Sequence, residues 1–401
     1  MLELEDALAR ILASLPKPPT ECVVLTQAYG RFAAASIVAP IDLPAFDNSS
    51  MDGYAVRAAD LACASQEKPV SLRLIGRVAA GQNFAGELHA GECVRLFTGS
   101  PMPKGADAVV MQEDTRLAPE DSDKVNILDA VKPWENVRFR GEDVKLGASL
   151  IAPGEQLGIG HIALFAAVGL AEISVGRRPK VALLATGSEL KESGDTLAPG
   201  QIYESNRKAL MPLIERTGAS VTAFPIVPDE PRATRLALEQ AFAECDIVIT
   251  CGGVSVGELD FVKSAFEELG GKLDFWKVAI KPGRPFVFGQ LGSKILFGLP
   301  GNPVSALVTF LLLARPALLR RQGAMDTSLR AHPGILAEPL SNSGTRRHFL
   351  RVRVDGSGGI RSAGLQASHA LSSLAAANGL VDVPPQSNFP AGATLRVLRW
   401  D

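Results

Sequence analysis

The side chains best suited to chemistry crowd a stretch of about 65 residues. Three glycine- and proline-rich segments follow one another there: GGVSVGELDFVK (252–263), KPGRPFVFG (281–289) and LFGLPGNPVSALVTFLLL (296–313). Lys281 and Arg284 flank a rigid Pro-Gly turn, and Asp260 stands near the start of an expected helix. Gly252 and Gly253 lie just past the apolar run DIVIT, which reads as a buried strand. Asn302 and Pro303 read as the N-cap and first residue of a strongly apolar helix. A helix that starts after a glycine-rich turn presents free N–H groups and a positive dipole end. The chemistry implied is capture of an anionic ligand by backbone N–H groups together with Lys281 and Arg284. Any one of these turns alone would be ordinary punctuation between strands and helices; three in one span, each with a polar group, point to a site. The apolar run 304–314 is shorter than the ~18 residues of a membrane span. Arg315 and Pro316 follow it, so it reads as a core helix.

Regularly alternating elements must position these groups. VALLAT (181–186), VTAFPIV (221–227), DIVIT (246–250) and ILFGL (295–299) read as strands. Between them come helices over 206–219, capped by Ser205 or Asn206, and over 231–244, with proline at its first position. This order predicts a parallel sheet with helices on both faces and ligands outside the carboxyl ends of the strands. Thr186 to Glu189, Asp229, Gly252 to Asp260 and the GLPGNP turn are expected at that edge. Neither GxGxxG nor GxxxxGK[ST] occurs at these turns, so a dinucleotide fold or P-loop is not supported.

Upstream, residues 3–15 have helical spacing and PKPP stops the helix; 21–39 reads as a strand followed by a short helix. The loop holding Asp47, Asn48, Ser49, Ser50 and Asp52 reads, on local grounds, as a solvated turn. Residues 70–140 alternate in short runs and predict a small, mainly β domain, with Thr98 on a proline-rich turn. Arg140, Glu142 and Asp143 sit together just beyond, and a helix over 158–170 leads to a linker near 174–179. After Gln322 the pattern changes to small residues and short alternating runs, predicting a C-terminal β barrel or sandwich. No period of 20 to 50 residues repeats.

Composition bounds the rest. The chain has 401 residues, 46% hydrophobic and 21% charged, enough for two to four domains at ~150 residues each. A formal net charge of −2 gives no electrostatic case for nucleic acid. Five cysteines without a CxxC pair read as reduced thiols, and five scattered histidines give little support to a histidine metal centre or a Ser–His–Asp triad. The N-terminus lacks the basic start and apolar core of a signal peptide, so the expectation is a cytoplasmic protein without membrane attachment.

Eight motifs occur in order: DNSSMDGYAV, TGSPMPKGADAVV, RGEDVKLG, TGSEL, GQIYESN, GGVSVGELDF, KPGRPF and GLPGNPVSA. On these the chain closely resembles the molybdopterin molybdenumtransferases, the molybdenum insertases that include MoeA and the E domain of gephyrin. The resemblance spans essentially the whole chain and is least distinctive in the last 75 residues. It implies insertion of molybdate into adenylylated molybdopterin, with loss of AMP and use of Mg²⁺. It also implies a homodimer with its site at the subunit interface, and four domains. These would be a discontinuous N-terminal domain (1–45 and 141–175), an inserted β domain (46–140), a molybdopterin-binding α/β domain (176–325) and a C-terminal β barrel (326–401). Molybdopterin adenylyltransferase and other cofactor-biosynthesis proteins are its expected partners.

By the same resemblance, Asp52, Thr98, Asp143, Asp260, Lys277 and Lys281 take catalytic positions. Gly252, Gly253, Ser255, Arg284, Pro300, Asn302, Pro303 and Ser305 fall in substrate-binding motifs, and Arg351 and Ser368 match molybdate-contacting positions. Glu189, Asp229 and Asp260 are hard oxygen donors suited to Mg²⁺, although helix capping or a surface ion pair would explain the first two equally well. Arg284 departs from the lysine common in relatives and offers a planar fork to a tetrahedral oxyanion. Two other readings compete. An adenylyltransferase would not need the 175 upstream residues, and a scaffold would not need Asp52, Asp143 and Asp260.

Overall fold

The computed structural model describes residues 1–79, 81–118, 121–254 and 261–400. They gather into two compact units, Met1–Ala35, Pro153–Gly158 and Glu172–Asp401 in one, and Ser36–Ala152 with Ile159–Ala171 in the other.

The first unit holds a six-stranded sheet. Its strands lie in the order Ser220–Ala223, Lys180–Ala185, Ile247–Cys251, Lys294–Leu299, Pro285–Leu291, Lys272–Lys277. The first four are mutually parallel, while Pro285–Leu291 runs antiparallel to both neighbours. The nearly continuous apolar runs of Lys180–Ala185, Ile247–Cys251 and Lys294–Leu299 follow from burial on both faces. Val181, Leu183, Ile247 and Ile249 face one core with helix Asn206–Arg216 and the N-terminal helix Leu4–Ser14. Ala182, Leu184 and Val248 face the other, with helices Pro231–Glu244 and Val262–Glu268. The chain steps from Lys180–Ala185 to one side and then returns to the other. The order therefore reverses between Lys180–Ala185 and Ile247–Cys251, the point at whose carboxyl ends open α/β sheets bind ligands.

The apolar run starting at Pro303 does not stop at Arg315. Helix Pro303–Thr309 passes through a π-helical stretch, Phe310–Ala314, into helix Arg315–Arg320. Pro316 has no N–H to donate and its ring would crowd the carbonyl four residues back, so the helix widens before it. These 18 residues are long and apolar enough to cross a membrane, but 83% of them are buried inside the protein. The helix belongs to the core.

Five strands close into a barrel: Arg347–Val354, Gly359–Ser362, Arg330–Leu336, Thr394–Arg399 and Gly379–Val383, the last pairing back to the first. The barrel expected at the C-terminus is thus present. The two-residue strand Ile280–Lys281 adds to its edge, parallel to Arg347 and His348. The second unit is built on a six-stranded sheet ordered Ala108–Met111, Gly53–Val56, Glu92–Leu96, Val70–Val78, Asp121–Ile127, Thr115–Ala118.

Four local expectations fail, the first being the linker near 174–179, whose start belongs to the strand Glu172–Gly176 paired with Thr20–Val24. The short helix expected within 21–39 is a single 3-10 turn, Leu25–Gln27, ended by a turn with Gly30 at φ 75°. The polar loop is no solvated turn, because Asn48 and Ser49 pair with Val137 and Arg138 and are buried. Ser205 and Asn302 occupy N-cap positions without a side-chain cap bond. Glu204 does that work at the first helix, its Oε1 accepting the Arg207 N–H at 2.8 Å.

Candidate active site

At the strand reversal, the residues after Lys180–Ala185 and Ile247–Cys251 meet. The Thr186 N–H donates to the Cys251 carbonyl at 3.0 Å, and the Gly252 N–H to the Leu299 carbonyl at 3.0 Å. Gly252 and Gly253 have φ of 96° and 67°. A Cβ at Gly252 would lie 2.7 Å from the Thr186 carbonyl oxygen, and one at Gly253 would lie 2.6 Å from Val262 Cγ2. Both position and conformation therefore demand glycine, leaving the backbone bare where a ligand can approach. Thr186 Oγ1 is buried beside this turn with no hydrogen-bond partner among the described residues.

The loop after Thr186 is tied to the one before helix Pro231–Glu244. Asp229 Oδ2 accepts the Ser188 N–H at 3.0 Å, and the Asp229 N–H donates to Ser188 Oγ at 2.9 Å. Glu189 is exposed next to this clasp. Ser188 engages only one carboxylate oxygen of Asp229, so two hard oxygen donors, Asp229 and Glu189, stand on adjoining loops. Asp260, the third acid expected here, and Ser255 lie outside the described residues. Among the described residues no three His, Cys, Asp or Glu side chains gather as a metal site.

The GLPGNP turn closes the same edge. Pro300 is buried and Asn302 exposed, and Asn206 Nδ2 donates to the Gly301 carbonyl at 2.7 Å. Asn206 was expected only as a cap; its link to a turn 95 residues away leaves no local signal. The helix N-terminus is partly engaged already, since the Val304 N–H donates to the Ser368 carbonyl at 3.1 Å. Ser305 is buried within the helix behind Pro303.

Cations collect beside this turn. Lys277 ends its strand at the same edge, and Lys281 and Arg284 are exposed on the following loop. Arg346 Nη1 donates to the Ile280 carbonyl at 2.9 Å. His348, paired in register with Lys281, feels this charge: burial first, then Lys281, Arg351 and Arg346, push its imidazole down to about 4. It is neutral at physiological pH, so the positive field comes from lysine and arginine alone.

Arg351 is fully buried. Its guanidinium donates to the Leu365 carbonyl at 2.6 Å, the Ala367 carbonyl at 3.1 Å and Ser373 Oγ at 3.0 Å. Gln366 clasps the Arg351 backbone from both sides, with bonds of 2.9 Å to its N–H and carbonyl. The structure thus places Arg351 behind the 365–368 segment whose Ser368 carbonyl meets the helix start. It braces that segment from inside, where the sequence reading put a direct contact. Burial holds its guanidinium below the usual arginine range.

Asp52, Thr98 and Asp143 belong to the other unit. Asp52 Oδ1 accepts both the N–H and the Oγ1–H of Thr98, each at 2.8 Å. These bonds, the backbone one first, hold the exposed Asp52 carboxyl below the usual range. Asp143 is exposed, its N–H donating to the Leu43 carbonyl at 3.1 Å. The five cysteines are free; burial raises the Cys93 thiol to about 12 and Cys251 still further, so neither is a nucleophile near neutral pH.

Comparison with known proteins matches three family descriptions along the chain. They are the MoeA N-terminal region (domain I and II) over residues 2–169, a probable molybdopterin binding domain over 182–320, and the MoeA C-terminal region (domain IV) over 333–400. The molybdopterin molybdenumtransferase of Haemophilus influenzae is 38% identical, over 99% of this chain and 98% of its own. That of Bacillus subtilis is 33% identical, over 99% and 94%. The solved structure of the molybdopterin biosynthesis MoeA protein from Pyrococcus horikoshii OT3 superposes with a TM-score of 0.84 at 32% identity, covering all of both chains.

Proposed function

Because the chain belongs to the molybdopterin molybdenumtransferase family, we propose that it acts in molybdenum cofactor biosynthesis as a transferase, inserting molybdate into adenylylated molybdopterin and releasing AMP. The observation that carries this reading is the convergence at one sheet edge of a side-chain-free glycine turn, two oxygen donors and three cations.

Each group has a task that its chemistry suits. Gly252 and Gly253 let the ligand lie against backbone, while Pro300, Asn302 and Pro303 set the turn beside it. Lys277, Lys281 and Arg284 balance the charge of phosphate or molybdate, and the Arg284 fork fits a tetrahedral oxyanion. Glu189 and Asp229, with Asp260, would hold Mg²⁺, which when bound offsets negative charge on a phosphoanhydride. Asp229 fits this role because only one of its oxygens is committed to Ser188. Ser305, Arg351 and Ser368 support the turn from within. Asp52 with Thr98, and Asp143, complete the site from a second copy of the chain, so the proposal includes a homodimer. The four-domain division and a cytoplasmic location belong to the same reading.

The test is a single-turnover assay with purified protein, adenylylated molybdopterin, molybdate and Mg²⁺, comparing wild type with Asp260→Ala. Molybdate-dependent AMP release in the wild type, lost in the variant, is the expected outcome. Tight pterin binding without AMP release by the wild type would replace the enzyme with a carrier or scaffold.

A further inference from the structure

A cavity of about 620 Å³ lies at the far ends of the two helices that begin at the strand-end edge. Helix Asn206–Arg216 touches the GLPGNP turn through Asn206 and reaches the cavity with Arg216, ~15 Å further along at 1.5 Å per residue. The helix opened by Pro303 reaches it with Phe310 and Arg315, at the π-helical stretch, an irregularity that often marks functional sites. The volume is in the range of small-molecule sites.

The lining is cationic. Arg216, Arg315, Arg330 and Arg399 face it against two carboxylates, Glu155 and Asp326. Asp326 is occupied by the Ser328 N–H, which donates to it at 2.8 Å. Arg216, Arg315 and Arg330 form no salt bridge among the described residues. Arg315 is half-buried, and its Nη1 meets only the carbonyls of Thr327 and Ser328, at 3.0 and 3.3 Å. Burial and then Arg216 weaken the Arg315 cation, and the pull of Asp326 does not make up the difference, a cost that a bound anion reverses. The partly exposed Trp400 supplies aromatic surface to the same space, with the buried Phe32 and Phe310 behind its wall.

We propose that this cavity is a second ligand site, taking a small planar aromatic anion. Its ring lies against Trp400, and its phosphate or carboxylate is held by Arg315, Arg216 and Arg330. The inference is independent of the strand-end chemistry.

The test uses 8-anilinonaphthalene-1-sulfonate as a fluorescent probe on the full chain. One probe should bind per chain, about tenfold more weakly after the paired exchange Arg216→Glu with Arg330→Glu. Both arginines are exposed, so the melting transition should hold. Leu213→Trp, which fills the cavity without changing charge, should weaken binding as well. Lys281→Ala should leave it unchanged. Absence of binding, binding indifferent to the charge exchange, or loss in Lys281→Ala would overturn the proposal. Displacement of the probe by AMP would identify a nucleotide as the ligand source, and displacement by pterin-6-carboxylate a pterin. Displacement by neither would also overturn it.

Discussion

The strand-end edge and the Asp52–Thr98 corner carry comparable polar groups but are made differently. At the edge, backbone does the shaping: positive-φ glycines, a carbonyl meeting a helix N–H, and a buried arginine bracing a loop. At the corner, one exposed carboxylate is set by one threonine. The first should be intolerant of substitution in stability and activity alike. At the second, chemistry should change while the fold does not.

The sharpest way to break this contrast is Gly253→Val. It adds a clash with Val262 and a β-branched side chain at φ 67°, and should cost about 3 kcal/mol in urea unfolding along with AMP release. Next is Arg351→Met, which strands the Leu365 and Ala367 carbonyls; about 2 kcal/mol should be lost in the same measurement. Activity should fall with it even though the side chain reaches no solvent. A variant as stable as wild type would show that the brace is dispensable.

His348 sharpens the picture through pH. Its folded value is depressed from 6.5 to about 4, so the unfolded chain binds the proton first as pH falls. The stabilisation from a neutral His348 is complete above 6.5 and drains away down to about 4. His348→Gln should flatten the acid side of a stability–pH curve over that window. The smallest structural effect is expected from Thr98→Val. The melting transition should stay put, while the acid limb of the activity profile moves to higher pH because Asp52 loses the hydroxyl bond and protonates more readily. An unmoved limb would remove Asp52 from the reaction.

The difference between the regions also sets what could be read from sequence. Thr186, Gly252 and the GLPGNP turn were legible at one edge because apolar runs and glycines report on their own neighbourhood. The barrel was legible from alternation and composition. What escaped was carried by partners distant in sequence. Asn206 meets Gly301, Val304 meets Ser368, and the burial of Arg351 depends on carbonyls 14 to 16 residues away. Caps failed for a related reason, since Glu204 outcompeted the nearer Ser205 for the helix N–H. The 3-10 turn at Leu25–Gln27 replaced a helix whose composition had looked adequate.

The strand Ile280–Lys281 leaves the α/β sheet to join the barrel edge beside Arg347 and His348. Lys281 is therefore held in register by the barrel, while the proposed anion site draws on its charge at the strand ends. If that assignment holds, a shift of the barrel strand that pairs with it would carry the cation away from the bound anion, so the barrel would set the site's charge from a distance.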